Sequence, residues 1–313
     1  SYHREQTYFG ILTSAFSLVI LLSMLFFNGF GYLNNYLAQF ISHPLLLSLL
    51  FFGVLFFVSD LLNLPFQLYS VFSIEQRYGF NKMDLKTFFI DKIKGYVLAI
   101  LMGGALLSIL IYLIQWLGKD FWWLFWVVIS VVIVLLNMFY TSLIVPMFNK
   151  LTPLEEGDLK NAIMNYCKKV NFPLDNLFVI DGSKRSTKAN AYFSGIGKKK
   201  KIVLYDTLIK EHSEDELVAV LAHEVGHFKK KHIIYTLVIS VLQIGFTLFI
   251  LSLMVFNENL SLALGGETTL IHLNLIAFAI LYSPISSLTG LLMMILSRKN
   301  EYEADDYAKN TFN

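Results

Sequence analysis

Two histidines and a glutamate carry the clearest chemical signal in the chain, within the heptapeptide LAHEVGH at 221–227. On an α-helix, His223 and His227 are four residues apart and lie on the same face, so both imidazoles can bind one zinc ion. Glu224 falls one step round the helix, beside the open coordination position. A carboxylate there can take a proton from the attacking water and return it to the leaving amine. The spacing therefore predicts zinc-dependent peptide hydrolysis.

The segment around this motif is predicted to be a helix. Ser213 followed by Glu216 is typical of a capping box, in which each residue satisfies a backbone N–H at a helix start. The alternative is a surface helix whose two histidines bind no metal. His232 does not complete the longer three-histidine signature, because Lys230 and Ile233 stand where glycine and histidine are required.

A third ligand must come from elsewhere, and zinc sites with two histidines commonly take a carboxylate while water keeps the fourth position. Four acidic residues follow the last apolar stretch: Glu301, Glu303, Asp305 and Asp306. Glu301 and Asp305 are four apart, so one can bind zinc while the other orients a ligating histidine. Glu303 points to another side of such a helix and is not expected to take part. The alternative for the whole cluster is a solvated helix face.

Composition predicts a protein that is embedded in a membrane. Residues of the AVILMFWYC set make up 56% of the 313 residues and charged residues 15%, against roughly 25% charged in an average soluble domain. The net charge of +2 gives no reason to expect nucleic acid as a partner. Cys167 is the single cysteine, which excludes an intrachain disulfide and a cysteine metal cluster.

Six apolar stretches are long enough to cross a bilayer, which takes about 20 helical residues. They lie at 8–27, 45–72, 96–116, 121–148, 232–256 and 271–296. With six spans, Lys119 is the only one of the 25 lysines and arginines on its side of the membrane, so the other side is expected to be cytosolic. His227 lies about five residues before the fifth span and Glu301 about five after the sixth. Each residue is then roughly 7 Å beyond the end of its span on the same side of the membrane, so the two segments can meet at the same distance from the bilayer.

These spans divide the chain into four predicted regions: spans one to four at 1–148, a protease segment at 149–231, spans five and six at 232–296, and a third-ligand helix at 297–313. Within 149–231, helical periodicity covers 158–170, and short strands are predicted at 177–180, 191–194 and 202–205. Gly195 and Gly197 lie between the last two strands, which favours a hairpin, and the lysine run 198–201 is expected to be a solvated loop. Asp60 and Asn63, inside the second span, must face protein or water, either lining a hydrated chamber or bonding another helix.

The chain also resembles the type I CAAX prenyl endopeptidases, integral membrane zinc proteases that cut near the C-terminus of prenylated CAAX proteins. Besides HEVGH, the resemblance rests on four further segments: RKNEYEAD at 298–305, NAYFSG at 190–195, YGFNK at 78–82 and PMFNK at 146–150. It implies that Glu301 is the third zinc ligand and that Asp305 lies behind a ligating histidine. It also implies that Asn190, Ala191, Tyr192 and Phe193 form a strand edge that binds substrate. Without the resemblance, Asn190 would be read as a turn residue.

The resemblance implies seven spans around an enclosed chamber, so a further span is expected before Ser1, and a histidine and an arginine of the site beyond Asn313. The expected partners are a lipidated peptide or protein and membrane lipids, with one Zn²⁺ per chain. The expected location is the endoplasmic reticulum of a eukaryote or the inner or plasma membrane of a prokaryote. Two alternatives stay open: a bacterial quality-control membrane protease, and a non-catalytic scaffold or transporter with a structural zinc.

Overall fold

The computed structural model describes residues 1–194 and 200–312. Helices dominate, and the strands form one four-stranded sheet in the described part of the chain. Gly195 and Gly197, the predicted hairpin turn, lie outside the described residues, as do Lys198 and Lys199 of the lysine run.

The α-helices of the described residues are, in chain order, α1 (Tyr2–Phe26), α2 (Gly29–Ala38), α3 (Pro44–Tyr69), α4 (Leu85–Leu98), α5 (Gly104–Leu117), α6 (Phe121–Leu143), α7 (Val145–Phe148), α8 (Asp158–Lys169), α9 (Asp206–Glu211), α10 (Glu214–Lys229), α11 (His232–Met254), α12 (Glu258–Ala263) and α13 (Ile271–Phe312). A π-helical segment, Ser70–Glu75, continues α3, and another, Ala99–Gly103, joins α4 to α5. The strands are β1 (Leu151–Pro153), β2 (Leu174–Ile180), β3 (Ala191–Ser194) and β4 (Lys200–Tyr205).

The protein is a helical membrane protein, but the predicted count of six spans is wrong. Five helical stretches of the described residues are long and apolar enough to cross a bilayer: Tyr2–Phe26, Pro44–Glu75, Leu85–Leu143, His232–Met254 and Ile271–Phe312. The third and fourth predicted spans lie in the single stretch Leu85–Leu143, which is 59 residues long. A three-residue 3-10 turn at Gly118–Asp120 joins its halves, and Gly118 has a φ of 58°. The sequence separates the two spans at these polar residues, whereas the structure joins the two helices through the 3-10 turn with no other residue between them.

The chain forms two compact units, and the first comprises Ser1–Gly79, Gly95–Ile129 and Gln243–Ser287. Inside it, Asp60 of α3 accepts hydrogen bonds both from another helix and from its own. The hydroxyl of Tyr96 donates to Asp60 Oδ2, and Gln67 Nε2 donates to Asp60 Oδ1 at 3.1 Å. Asn63 instead donates to the carbonyl of Ser59 in its own helix at 2.8 Å. The hydrogen bond between Tyr96 and Asp60 is therefore a bond to another helix, as expected for Asp60 in one of the two interpretations of the sequence.

The second unit comprises Phe80–Lys94, Ser130–Leu242 and Leu288–Asn313 and contains the sheet. The strand order is β1-β2-β4-β3. β2 and β4 are parallel, while β1 pairs antiparallel with β2 and β3 pairs antiparallel with β4. Because β3 is the last strand in this order, one of its backbone edges is not paired within the sheet.

The core of the second unit lies between the sheet and helices α8 and α10. Its fully buried side chains include Ile163 of α8, Leu204 of β4 and Leu221 of α10. Ala191 of β3 and Tyr307 of α13 pack against the same core. The core therefore connects the motif helix to the edge strand and to the end of α13.

Sequence periodicity predicted most of these elements. The helix expected at 158–170 is confirmed as α8, and the strands expected at 177–180, 191–194 and 202–205 are confirmed within β2, β3 and β4. The antiparallel β3–β4 pair confirms the predicted hairpin partners. β1 was missed, because it has only three residues and ends in proline, which provides no period-two pattern.

Candidate metal centre

Helix α10 positions the motif histidines. Its start is closed by the predicted capping box: the N–H of Ser213 donates to Glu216 Oε2 at 2.8 Å, and the N–H of Glu216 donates to Ser213 Oγ at 3.4 Å. Leu217, Leu221 and Val225 are each at most 2% exposed and bury one face of the helix. At 100° per residue, the two histidines lie on the opposite face. The same periodicity that builds the core therefore turns both imidazoles outward.

Three side chains from two helices converge at one point. His223 and His227 belong to α10, and Glu301 comes from α13. His223 Nε2 and His227 Nε2 are 3.1 Å apart, and Glu301 Oε2 lies 3.2 Å from the first and 3.6 Å from the second. They form a group of three potential metal ligands among the described residues.

These distances fit a zinc ion. Zn–N and Zn–O bonds of about 2.0–2.1 Å in tetrahedral geometry place the ligand atoms about 3.3 Å from one another. The three observed separations bracket that value. Two imidazole nitrogens and one carboxylate oxygen are also the donor set that catalytic zinc takes when its fourth position is left to water. The three side chains therefore suit a metal in both chemistry and spacing.

A glycine brings the two ligand helices close together. A Cβ at Gly226 would lie 3.0 Å from the carbonyl oxygen of Ala304, 3.1 Å from its Cα and 3.2 Å from Tyr307 Cβ. Ala304 is itself fully buried. Since glycine has no side chain, the backbone of α13 can approach α10 at the turn that follows Glu301. This contact sets the distance over which the carboxylate reaches the histidines.

Asp305 contacts the outer nitrogen of the first histidine. His223 Nδ1 lies 2.8 Å from Asp305 Oδ1, and the carboxylate is 69% exposed. A carboxylate in this position fixes the tautomer of the ring, because it accepts the Nδ1 proton and leaves Nε2 free for a metal. The structure thus brings together all three predicted ligands and the residue predicted to lie behind one of them.

The second histidine has a different partner that sequence reasoning missed. His227 Nδ1 lies 3.0 Å from His232 Nδ1, and His232 Nε2 lies 3.2 Å from Glu303 Oε2. His232 does not fit a three-histidine motif and Glu303 points to another side of the helix from Glu301, so neither residue is predicted from the sequence to take part. The sequence did offer one signal. An additional histidine, His232, follows the two motif histidines, and an additional carboxylate, Glu303, follows Glu301.

Glu224 lies in an environment that favours proton transfer. Its pKa is raised to about 7, mainly by burial; His223 opposes the shift, and the negative charge of Glu301 adds to it. Burial also lowers the pKa of His227, which favours the neutral imidazole that a metal requires. A carboxyl whose pKa lies near neutrality can both accept and donate a proton.

The predicted substrate edge lies on the outermost strand of the sheet. Asn190 directly precedes β3, and its carbonyl accepts from the N–H of Tyr205 at 3.1 Å. Its side-chain Oδ1 accepts from the N–H of Ala191 at 2.9 Å. In the antiparallel ladder Ala191 pairs with Leu204 and Phe193 with Ile202. Because backbone groups alternate, those of Ala191 and Phe193 face the open edge, and those of Tyr192 face β4.

A cavity of about 360 Å³ adjoins the ligands. His227, His232 and Glu301 form part of its wall, and the remaining lining comes from α6, α11 and α13. Apart from these three residues, its lining side chains are uncharged: Ile133, Asn137, Ile233, Thr236, Leu237, Ser240, Ser297 and Asn300. The cavity is large enough for one or two uncharged side chains next to the candidate metal position.

Comparisons with known families account for nearly the whole chain. Residues 1–150 match the family described as CAAX prenyl protease N-terminal, five membrane helices. Residues 153–313, which contain every candidate ligand, match peptidase family M48. The chain belongs to peptidase family M48. Membership of family M48 implies a metal cofactor, and the resemblance stated from the motifs is confirmed.

Several proteins are similar to this M48 peptidase along most of its length. CAAX prenyl protease 1 of Saccharomyces cerevisiae is 38% identical over 279 residues, which cover 84% of this chain and 61% of the yeast protein. The Dictyostelium discoideum homolog is 35% identical over 318 residues, covering 98% of this chain and 74% of that protein. The crystal structure of S. mikatae Ste24p is 34% identical with a TM-score of 0.93 and covers 99% of this chain and 77% of that one. The M48 chain thus spans about three fifths to three quarters of these proteins.

The contact at Gly226 provides a direct test of how the ligands are held together. We expect Gly226→Ala to lower the affinity for Zn²⁺ by about tenfold, because the new methyl group pushes Ala304, and with it Glu301, outward by a few tenths of an ångström. Gly226→Val should lower it further. Zinc affinity is measured by competition with a chelator, alongside the thermal unfolding midpoint.

Gly95→Ala is the matched control, since Gly95 is also helical and an added Cβ there meets nothing within 4 Å. It should leave zinc affinity unchanged. Equal zinc affinity in the wild type, Gly226→Ala and Gly226→Val would show that this contact does not set the position of Glu301.

Proposed function

We propose that this chain carries the active site of a zinc-dependent membrane endopeptidase that cleaves membrane-associated, prenylated CAAX-type proteins. The observation that carries the proposal is the convergence of His223 Nε2, His227 Nε2 and Glu301 Oε2 within 3.6 Å of one another. Its relatives in yeast and Dictyostelium, named CAAX prenyl protease 1, support the substrate class.

In this proposal His223, His227 and Glu301 would hold zinc, and Asp305 would fix the ring of His223. When bound, zinc supplies Lewis-acid activation of water and of the scissile carbonyl. Glu224 accepts the proton of the attacking water and later donates it to the leaving amine. Its raised pKa near 7 supports both roles, because the protonated and ionised forms are then close in free energy.

The segment 149–231 and the end of α13 from residue 297 would carry this chemistry, while 1–148 and 232–296 would hold it in the membrane. A structural zinc site is normally closed by four protein ligands. The three-ligand group among the described residues therefore favours catalysis over a scaffold role.

We propose that the substrate is bound as an added strand on the open edge of β3, from Asn190 to Phe193. The outward-facing backbone groups of Ala191 and Phe193 support this mode, which provides main-chain hydrogen bonds without demanding one sequence. To bond through Ala191, the substrate would displace the amide oxygen of Asn190 from that N–H. Asn190 would then be free to bond the peptide.

Removing the carboxylate of Glu224 should abolish cleavage without releasing zinc. We expect Glu224→Gln to lower the rate at least about a hundredfold, because an amide cannot accept the proton of water, while the zinc content stays at one per chain. The assay measures cleavage of a prenylated CAAX peptide and of the same peptide without the lipid, with metal content measured in parallel.

Glu214→Gln is the matched control, since Glu214 is an exposed acid in the first turn of the same helix. It should cleave at the wild-type rate. Cleavage retained in Glu224→Gln would refute the mechanism, and equal cleavage of both peptides would refute the preference for a lipidated substrate. Cleavage insensitive to a chelator would refute the requirement for zinc.

If the substrate binds as an added strand, its sensitivity to backbone modification should alternate from one residue to the next. We expect N-methylation of successive peptide bonds in the prenylated substrate to reduce kcat/KM strongly at alternate positions, because only every second N–H faces β3. The comparison is between neighbouring methylated positions within one peptide series. A loss that shows no alternation would contradict the added strand.

We propose that the active site faces the cytosol, in the endoplasmic reticulum of a eukaryote or the inner or plasma membrane of a prokaryote. The concentration of lysine and arginine between residues 150 and 231, the segment that carries the motif histidines, supports this side.

Cysteine labelling in sealed vesicles with the cytosolic face outward tests this orientation. Glu214→Cys should react with an impermeant maleimide at once in these vesicles, and only after detergent is added in vesicles of the opposite orientation. The native Cys167 gives little background, because it is 2% exposed and burial raises its pKa to about 11. The opposite labelling pattern would place the active site on the other side.

A further inference from the structure

The two candidate metal-binding histidines are supported by different groups on their outer nitrogens. His223 Nδ1 contacts a carboxylate directly, that of Asp305 at 2.8 Å. His227 Nδ1 contacts a third imidazole, His232, at 3.0 Å, and only beyond it does a carboxylate follow, that of Glu303 at 3.2 Å. The second support is therefore a chain of two hydrogen bonds rather than one.

The direction of this chain follows from where His227 points. Its Nε2 lies 3.1 Å from His223 Nε2 and 3.6 Å from Glu301 Oε2, so this nitrogen is turned towards the shared metal position. A ligating Nε2 carries no proton, so the proton of the neutral ring is on Nδ1 and is donated to His232 Nδ1. His232 then carries its proton on Nε2 and donates it to Glu303. Each group in the chain has a partner of the correct type.

Burial and backbone geometry hold the middle ring in place. His232 is 5% exposed and is the first residue of α11. Lys231, just before it, has a φ of 60°, and its N–H donates to the carbonyl of Phe228 at 2.9 Å. This tight turn sets the rings of His227 and His232 edge to face, with centroids 5.1 Å apart at 74°.

The last group of this hydrogen-bond chain, Glu303, lies near the surface and next to a cation. Glu303 is 38% exposed, and its second oxygen, Oε1, lies 3.8 Å from Lys299 Nζ one helical turn earlier. The lysine favours the ionised carboxylate, which can only accept hydrogen bonds. The hydrogen-bond chain therefore ends in an acceptor, in agreement with the direction set by the orientation of His227.

We propose that His232 and Glu303 are positioning residues for the metal site, and that together they fix the tautomer and ring orientation of His227. This inference rests on the proposed zinc site and adds two residues to it. Neither group is one of the three candidate metal ligands. Groups that orient a ligating histidine in this way commonly change metal affinity by about 10–100-fold when removed.

The test measures metal binding on a Glu224→Gln background, so that no readout depends on cleavage. The purified full chain carries His232→Leu, His232→Gln, Glu303→Gln or Asp306→Asn. Zinc affinity is measured by chelator competition, and the visible absorption band of the Co²⁺-substituted protein reports ligand geometry. The thermal unfolding midpoint is recorded for each variant.

His232→Leu should weaken Zn²⁺ binding about 10–100-fold and shift the Co²⁺ band, and Glu303→Gln should weaken it about tenfold. His232→Gln should recover most of the affinity, because an amide can accept from His227 and donate to Glu303. Asp306→Asn, which removes an exposed charge from the same turn of α13, should match the background.

Zinc affinity and a Co²⁺ band that are the same in His232→Leu, Glu303→Gln and Asp306→Asn would overturn the proposal. So would an affinity loss in His232→Gln equal to that in His232→Leu. If His232→Leu fails to fold, Glu303→Gln decides alone, because its side chain lies near the surface. Shifted metal binding in a chain whose wild type cleaves no peptide would refute the proposed function and leave this inference standing.

Discussion

The contact between Gly226 and Ala304 is the constraint on which the candidate site depends. Two of the three ligands come from α10 and the third from α13, and these helices approach closely only because residue 226 has no side chain. Around the axis of α13, Glu301 and Asp305 lie on one side of Ala304, and Glu303 lies on the other. One contact point thus presents three carboxylates to the histidines: Glu301 to the metal position, Asp305 to His223 and Glu303 to His232.

Burial and charge act together at this contact. The helix α10 buries its leucine and valine face in the core and carries its partly buried histidines on the opposite face. The partial burial of Glu224 raises its pKa, and the partial burial of His227 lowers its own. Both shifts have one origin, the loss of water around a charged form. The packing that orients the motif therefore also sets its protonation.

Spacing predicted the parts of the site that lie within one helix. His223, Glu224 and His227 could be assigned because a helix repeats every 3.6 residues, and the capping box predicted where that helix begins. The strands that follow were predicted for a similar reason, since alternation and short apolar runs are local signals. The membrane location of the protein was also predictable, because 56% apolar residues are more than a soluble domain usually contains.

Contacts across distant segments could not be obtained in the same way. The bond from His227 through His232 to Glu303 joins residues 71 positions apart at its second step, and no periodicity relates them. Likewise, the merging of two predicted spans into Leu85–Leu143 depends on the backbone at Gly118, where composition predicts a loop. Residue types and local repeats thus determined which groups could do chemistry. The packing of α13 against α10 decided which of them meet, because that distance depends on atoms far apart in the chain.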